Sequence, residues 1–181
     1  MYVGISELRN SRALGKDNLI DIASAVGESL SAVQLFNPAL IVDYHHLLSA
    51  SQNAVNAWNG NYAHARSLEV EIAVFASGQH QIGHALDVFG VKDDMANVAV
   101  VIVGTDVDRI EACHRTLLQE IGEDIEPPFT LDSSRTRAIM DHFGISDEEM
   151  NAVSISDSAE DIQRTLSRCV VSRVSDVALE S

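Results

Sequence analysis

Seven histidines, His45, His46, His64, His80, His84, His114 and His142, are the residues of this chain most suggestive of chemistry. His80 and His84 stand four apart in a stretch of helical periodicity, which places two imidazoles on one face at a spacing that suits a divalent metal. No third ligand with a supporting residue follows from the residue order, so packed or solvated histidines are expected, with no metal and no cofactor. Gly78 and Gly83 open no strand–loop–helix pattern with a following lysine, which a phosphate-cradling loop would require. A Gly-x-Ser-x-Gly elbow is absent, and neither Cys113 nor Cys169 lies in a nucleophile motif. Both cysteines fall on apolar faces of predicted helices and are expected as buried free thiols, the usual state in a cytosolic compartment. Asp93-Asp94 and Glu148-Glu149 sit beside turns, where the dipole of a starting helix favours solvated carboxylates. The side chains therefore predict a protein that is not an enzyme.

The charge narrows the partners. Twenty-seven carboxylates face twelve cations, a net charge of −15 over 181 residues, and the only lysines are Lys16 and Lys92. Such a surface repels phosphates at long range and argues against broad nucleic-acid binding; any RNA contact must be local, made by a few arginines and backbone groups. A lysine-poor acidic surface is also what a salty cytoplasm favours. At 46% hydrophobic residues the composition is that of a folded chain. A chain of this size buries roughly 70% of its unfolded surface. The longest clean apolar run, Val98–Val103, falls far short of the roughly 18 residues of a membrane span. The first residues carry no basic region followed by an apolar stretch, so no signal peptide, no membrane and a cytoplasmic location are expected.

The elements that must position these residues follow from periodicity. Residues 2–8 alternate weakly as a short strand. Asp17 is the expected cap of a helix through Leu19, Ile22, Ala23 and Val26. Ala32–Phe36 reads as extended and Asn37-Pro38 as a turn. Asp43 caps the best helix, whose apolar stripe Tyr44, Leu47, Leu48, Ser51, Ala54, Val55 and Trp58 predicts a largely buried tryptophan. Helices over 64–76 and 82–89 follow, then a β-branched strand at Asn97–Gly104 buried on both faces. Thr105 and Asp108 resemble a capping box for a helix ending at Gly122. A short strand is expected at Phe129–Leu131, then two short helices, 134–143 and 146–153, and a terminal helix over about 158–179 with Ser158 and Asp161 as its capping box. The expectation is a helix-rich α+β fold, one domain over 1–181 packed around a small mixed or antiparallel sheet and closed by the terminal helix.

One ordered series of segments carries a resemblance. It runs from Leu35-Phe36-Asn37-Pro38-Ala39-Leu40-Ile41-Val42-Asp43 into Tyr44-His45-His46-Leu47-Leu48-Ser49-Ala50 and Ala54-Val55-Asn56-Ala57-Trp58. It continues through Ala65-Arg66-Ser67-Leu68-Glu69-Val70-Glu71-Ile72 and Ala76-Ser77-Gly78-Gln79-His80-Gln81-Ile82 to the strand Val98–Val103. It reappears in Arg168-Cys169-Val170-Val171-Ser172-Arg173-Val174-Ser175-Asp176-Val177, while residues 105–157 match in order of elements alone. This order resembles the small kinase-binding subunit of the KEOPS tRNA-modification complex, the family of the PRPK-binding protein.

The resemblance implies an α+β accessory subunit without catalytic residues. It would bind the kinase/ATPase subunit of that complex and help recruit tRNA, through its 3′ acceptor end, for threonylcarbamoyl-adenosine (t6A) modification. Arg66, Ser77, Gly78, Gln79, His80 and Gln81 are the residues expected to meet tRNA. The N–H groups at the start of the helix after Gly78 would attract a phosphate, and a glycine lets a backbone approach closely. The resemblance implies a basic residue where this chain has His80, so a phosphate contact there would be weaker or pH-dependent. Val170, Val171 and Val174 on the terminal helix are the residues expected to meet the kinase. Two other classes compete with this reading: a protein-only adaptor that modulates a kinase without touching RNA, supported by the charge, and a small metal-binding enzyme, supported by the histidine count.

Overall fold

The computed structural model describes residues 1–156 and 158–178. Three strands, β1 (Tyr2–Arg9), β2 (Ala32–Phe36) and β3 (Asn97–Gly104), form one antiparallel sheet in the order β1-β3-β2. Central β3 carries Val98, Val100 and Ile102 to one face and Ala99, Val101 and Val103 to the other, which explains its unbroken apolar run. The first face is covered by α1 (Lys16–Gly27) and α5 (Val107–Glu120). The second is covered by a larger layer built on α2 (Tyr44–Gly60), α3 (Leu68–Ser77) and α8 (Ala159–Asp176). Around that layer pack α4 (Ile82–Phe89), α6 (Ser133–Phe143) and α7 (Asp147–Val153). The fold is α+β, helix-rich around a small antiparallel sheet. Residue 179, the expected end of the terminal helix, lies outside the described residues. Among the described residues no helix is long and apolar enough to cross a membrane.

Several local expectations hold for the reasons that predicted them. Asp43 caps α2 by accepting from the His46 N–H at 3.0 Å, and Ser158 caps α8 by accepting from Asp161 N–H at 3.2 Å. Others fail for stated reasons. The buried stripe of α2 is His46, Leu47, Ala50, Ser51, Ala54 and Ala57, one position round the helix from the expected one. Small residues along that stripe let α3 approach closely, and the rotation turns the large aromatics outward: Tyr44 is 42% and Trp58 39% exposed. α3 starts at Leu68 and not near His64, because the buried Glu71 carboxylate takes the N–H groups of His64 (3.1 Å) and Ala65 (2.7 Å) and holds that segment as a loop. Phe129 enters no strand: it lies at φ +55, is buried, and gives its N–H to the Glu7 carboxylate. α1 is capped by Gly15 without a side-chain bond, and Asp17 falls in its first turn; α5 is capped by Asp106 in place of Thr105.

Candidate functional site

The corner between α3 and α4 begins at Gly78, which ends α3 in the left-handed conformation (φ +64) and donates its N–H to Phe75 O at 3.1 Å. A Cβ there would also stand 3.1 Å from the Phe143 ring, so any other residue meets both left-handed backbone strain and crowding against that ring. Ser77, expected to offer its hydroxyl to RNA, is fully buried and spends that hydroxyl on Val74 O at 2.8 Å. Its carbonyl accepts from His142 Nε2–H at 2.9 Å, which ties α6 to the corner. Ser77 is thus a fixed part of the scaffold and drops out of the contact set. α4 is capped by Gln81 without a side-chain bond, so the exposed Gln81 amide is uncommitted to the cap.

Beneath the corner lies His46, wholly buried. Its Nε2–H donates to Ala76 O at 2.8 Å, its Nδ1 accepts from Val42 N–H at 3.4 Å, and its ring meets Phe89 and Phe143 edge-on. Burial pushes this imidazole down to about 4, so it is neutral and joins α2 to the end of α3 as a two-sided hydrogen-bonding spacer. The Glu71-held loop carries exposed Arg66, and its His64 ring lies 5.4 Å from that of His80. Arg66 makes no ion pair among the described residues and stands outside the cleft described next.

A cleft of about 300 Å³ opens where the corner meets the ends of α6 and α8. Gly78, Gln79 and His80 line one wall; His142, Arg173 and Asp176 line the other. Three of the six residues expected to meet tRNA are therefore brought together, alongside an arginine from the helix expected to meet the kinase. Arg173 is paired: its Nη2 lies 2.7 Å from Glu149 Oε2, and this contact holds the Glu149 carboxyl below its usual range. The cleft is thus lined by the Gln79 amide, by two imidazoles of which that of His142 is already bonded to Ser77 O, by a guanidinium paired with Glu149, and by the Asp176 carboxylate.

On α8, Val170 and Val174 have no exposure at all and belong to the core against the sheet. Both were expected to face a kinase; the helix is buried more deeply than one stripe requires, because α2, α3, α6 and α7 all pack on it. Val171 is half-buried and is the one of the three that a partner can reach directly. Among the described residues no group of three or more His, Cys, Asp or Glu could hold a metal ion, and His84 is exposed beside the corner. Cys113 and Cys169 are buried and free, and burial pushes the Cys113 thiol up to about 11.

The sequence model of the kinase binding protein CGI-121 family matches residues 7–176. The chain belongs to this family. No curated protein sequence matches the chain. The match begins inside β1 and runs to the end of α8, so His142, Arg173 and Asp176 of the cleft fall within it. The residue order names His142 only among the seven histidines and gives no role to Arg173 or Glu71. Arg173 stood inside the terminal segment 168–177 that carried the resemblance, and its place one turn from Val177 was the available signal.

Proposed function

We propose that this CGI-121 family chain is a non-catalytic accessory subunit of a KEOPS-type complex in the cytoplasm, one domain that binds and modulates the kinase/ATPase subunit and helps seat the 3′ acceptor end of tRNA during t6A formation. The family supports a kinase partner. The observation that carries the RNA half is the cleft where Gly78, Gln79 and His80 face Arg173. It is lined by the Gln79 amide and the bare backbone of Gly78, features that suit unstacked nucleotides more than a duplex. On the kinase side, the contact falls at Val171 and the exposed residues beside it. A protein-only adaptor is the competing reading, favoured by the Arg173–Glu149 pair and by Asp176, which leave little free positive charge in the cleft.

The experiment is tRNA binding, with and without the unpaired 3′ nucleotides, to wild type, Arg66→Ala, Gln79→Glu and Arg173→Ala, across a salt series. The expected result is binding at low salt that falls steeply as salt rises and weakens on trimming, with Gln79→Glu and Arg173→Ala losing the preference for the intact end. Equal affinity for intact and trimmed tRNA refutes the acceptor-end role. Absence of binding at every salt leaves the adaptor. In a parallel pull-down with the kinase subunit, Val171→Glu is expected to lose the partner.

A further inference from the structure

The outer edge of β1 is half used. At its C-terminal end the chain pairs with its own residues 123–125: Arg9 N–H donates to Glu123 O and Ile125 N–H donates to Glu7 O, each at 2.8 Å, with Leu8 opposite Asp124. β1 therefore turns the N–H and C=O groups of its odd-numbered residues away from β3. The added segment leaves at Glu126-Pro127, and proline has no N–H to continue a ladder. Among the described residues, the outward backbone groups of Val3 and Ile5 have no hydrogen-bond partner.

A cleft flanks this open edge on each side of the sheet. On the α5 side a space of about 400 Å³ lies over Gly4 and Ser6, walled by Glu111, His114, Asp124 and Glu126. On the α2 side a space of about 520 Å³ lies beside Val3, walled by Ser49, Gln52, Asn53 and Asn56. Successive side chains of any strand laid along β1 would fall alternately into these two spaces. The first is acidic. Arg115 pairs with Glu111 at 3.7 Å and His114 with Asp124 at 3.0 Å, while Glu126 has no ion partner among the described residues. Ser6 Oγ is buried there without a hydrogen-bond partner. The second holds amides and hydroxyls.

We propose that the Val3–Ile5 edge accepts an extended basic segment of a partner polypeptide as a fourth strand, seating lysine or arginine side chains against Glu126 and Glu111 and small polar side chains against Gln52 and Asn56. The backbone ladder supplies the binding and the two unlike clefts supply the selection. The net charge of −15 draws a cationic segment in. The proposal goes beyond the accessory role above and does not rest on it.

The test uses the full chain and a synthetic peptide, Thr-Lys-Thr-Lys-Thr-Lys-Thr, which places lysines on one side and threonines on the other. The same peptide with glutamate for lysine is the control. The lysine peptide is expected to bind at least about tenfold more tightly, with affinity falling as salt rises, and to slow hydrogen exchange at the Val3 and Ile5 amides. Val3→Pro removes one outward N–H without touching the β1–β3 ladder and is expected to abolish that binding. Glu126→Lys, on an exposed side chain outside the core, is expected to erase the preference for lysine. Equal affinity for both peptides, or protection of amides elsewhere than β1, overturns the proposal. So does a chain dimer in sedimentation that Val3→Pro breaks and the peptide cannot compete with, because the edge then belongs to a second copy.

Discussion

The two faces of the sheet are built from different materials. Against α1 and α5 the core is almost wholly aliphatic, with Leu8, Leu19, Leu35, Val100, Ile102, Leu117 and Ile121 and the one thiol of Cys113. Against α2, α3 and α8 it is threaded with buried polar side chains: His46, Ser51, Glu71, Ser77 and Thr165, beside the rings of Phe36, Phe75, Phe89, Phe129 and Phe143. Four of them have backbone partners: Ser51 gives its hydroxyl to Leu47 O and Ser77 its own to Val74 O, His46 bridges Ala76 and Val42, and Glu71 ties down the 64–65 loop. An aliphatic face needs only volume to be filled. A face that fixes loops and corners needs directional bonds, and the cleft lies on that side. The difference separates a layer that supplies stability from one that also sets the position of a surface.

The largest effect expected is a collapse of the polar-threaded face. Val174→Glu places an unpaired carboxylate at a site with no exposure, at a cost of about 4 kcal/mol or more, and is expected to unfold the domain. Val171→Glu, half-buried one turn earlier, is expected to cost about 1 kcal/mol or less. Denaturant melts followed by circular dichroism compare the two. Equal midpoints would mean that α8 is not the wall of this face.

A pH series sharpens the contrast without altering the chain. His46 titrates near 4 when folded and near 6.5 when unfolded, so between those values the unfolded chain holds the extra proton. Its contribution is fully present above pH 6.5 and is lost as pH falls to 4, a total of about 3 kcal/mol. His46→Phe is expected to flatten that slope between pH 6.5 and 4 while leaving the rest of the acid transition in place. If hydrogen exchange at pH 5 rises first in α1 and α5, the aliphatic face is the weaker one and the comparison is reversed.

The smallest effect concerns Trp58, on the outer side of α2. At 39% exposure, Trp58→Ala is expected to cost about 1–2 kcal/mol, below the roughly 3–5 kcal/mol of a fully buried tryptophan. Native fluorescence of Trp58 should be partly red-shifted. A blue-shifted, quencher-protected tryptophan would place α2 in the rotation that periodicity suggests.

Elements whose signals are local could be read from the residue order. Asp43 and Ser158 announce their helices because a short oxygen-bearing side chain satisfies free N–H groups within three residues. Asn97–Gly104 announces a central strand because β-branched residues on both faces leave no solvent side. The rotation of α2 depends on its neighbours in space. Tyr44, Leu48 and Trp58 are the bulkier candidates for a core, yet close approach of α3 selects Ala50, Ala54 and Ala57, and that choice depends on a partner 10 or more positions away. Periodicity puts Val170 and Val174 on the main stripe of α8, but that the stripe is closed to a partner follows from the four helices around it, which no single-helix pattern counts. Tertiary structure also assembled the cleft, since Gly78 and Arg173 lie far apart along the chain and meet only when α8 packs across the end of α3. Periodicity reports which face of an element is apolar; which elements share that face, and at what distance, is fixed by packing.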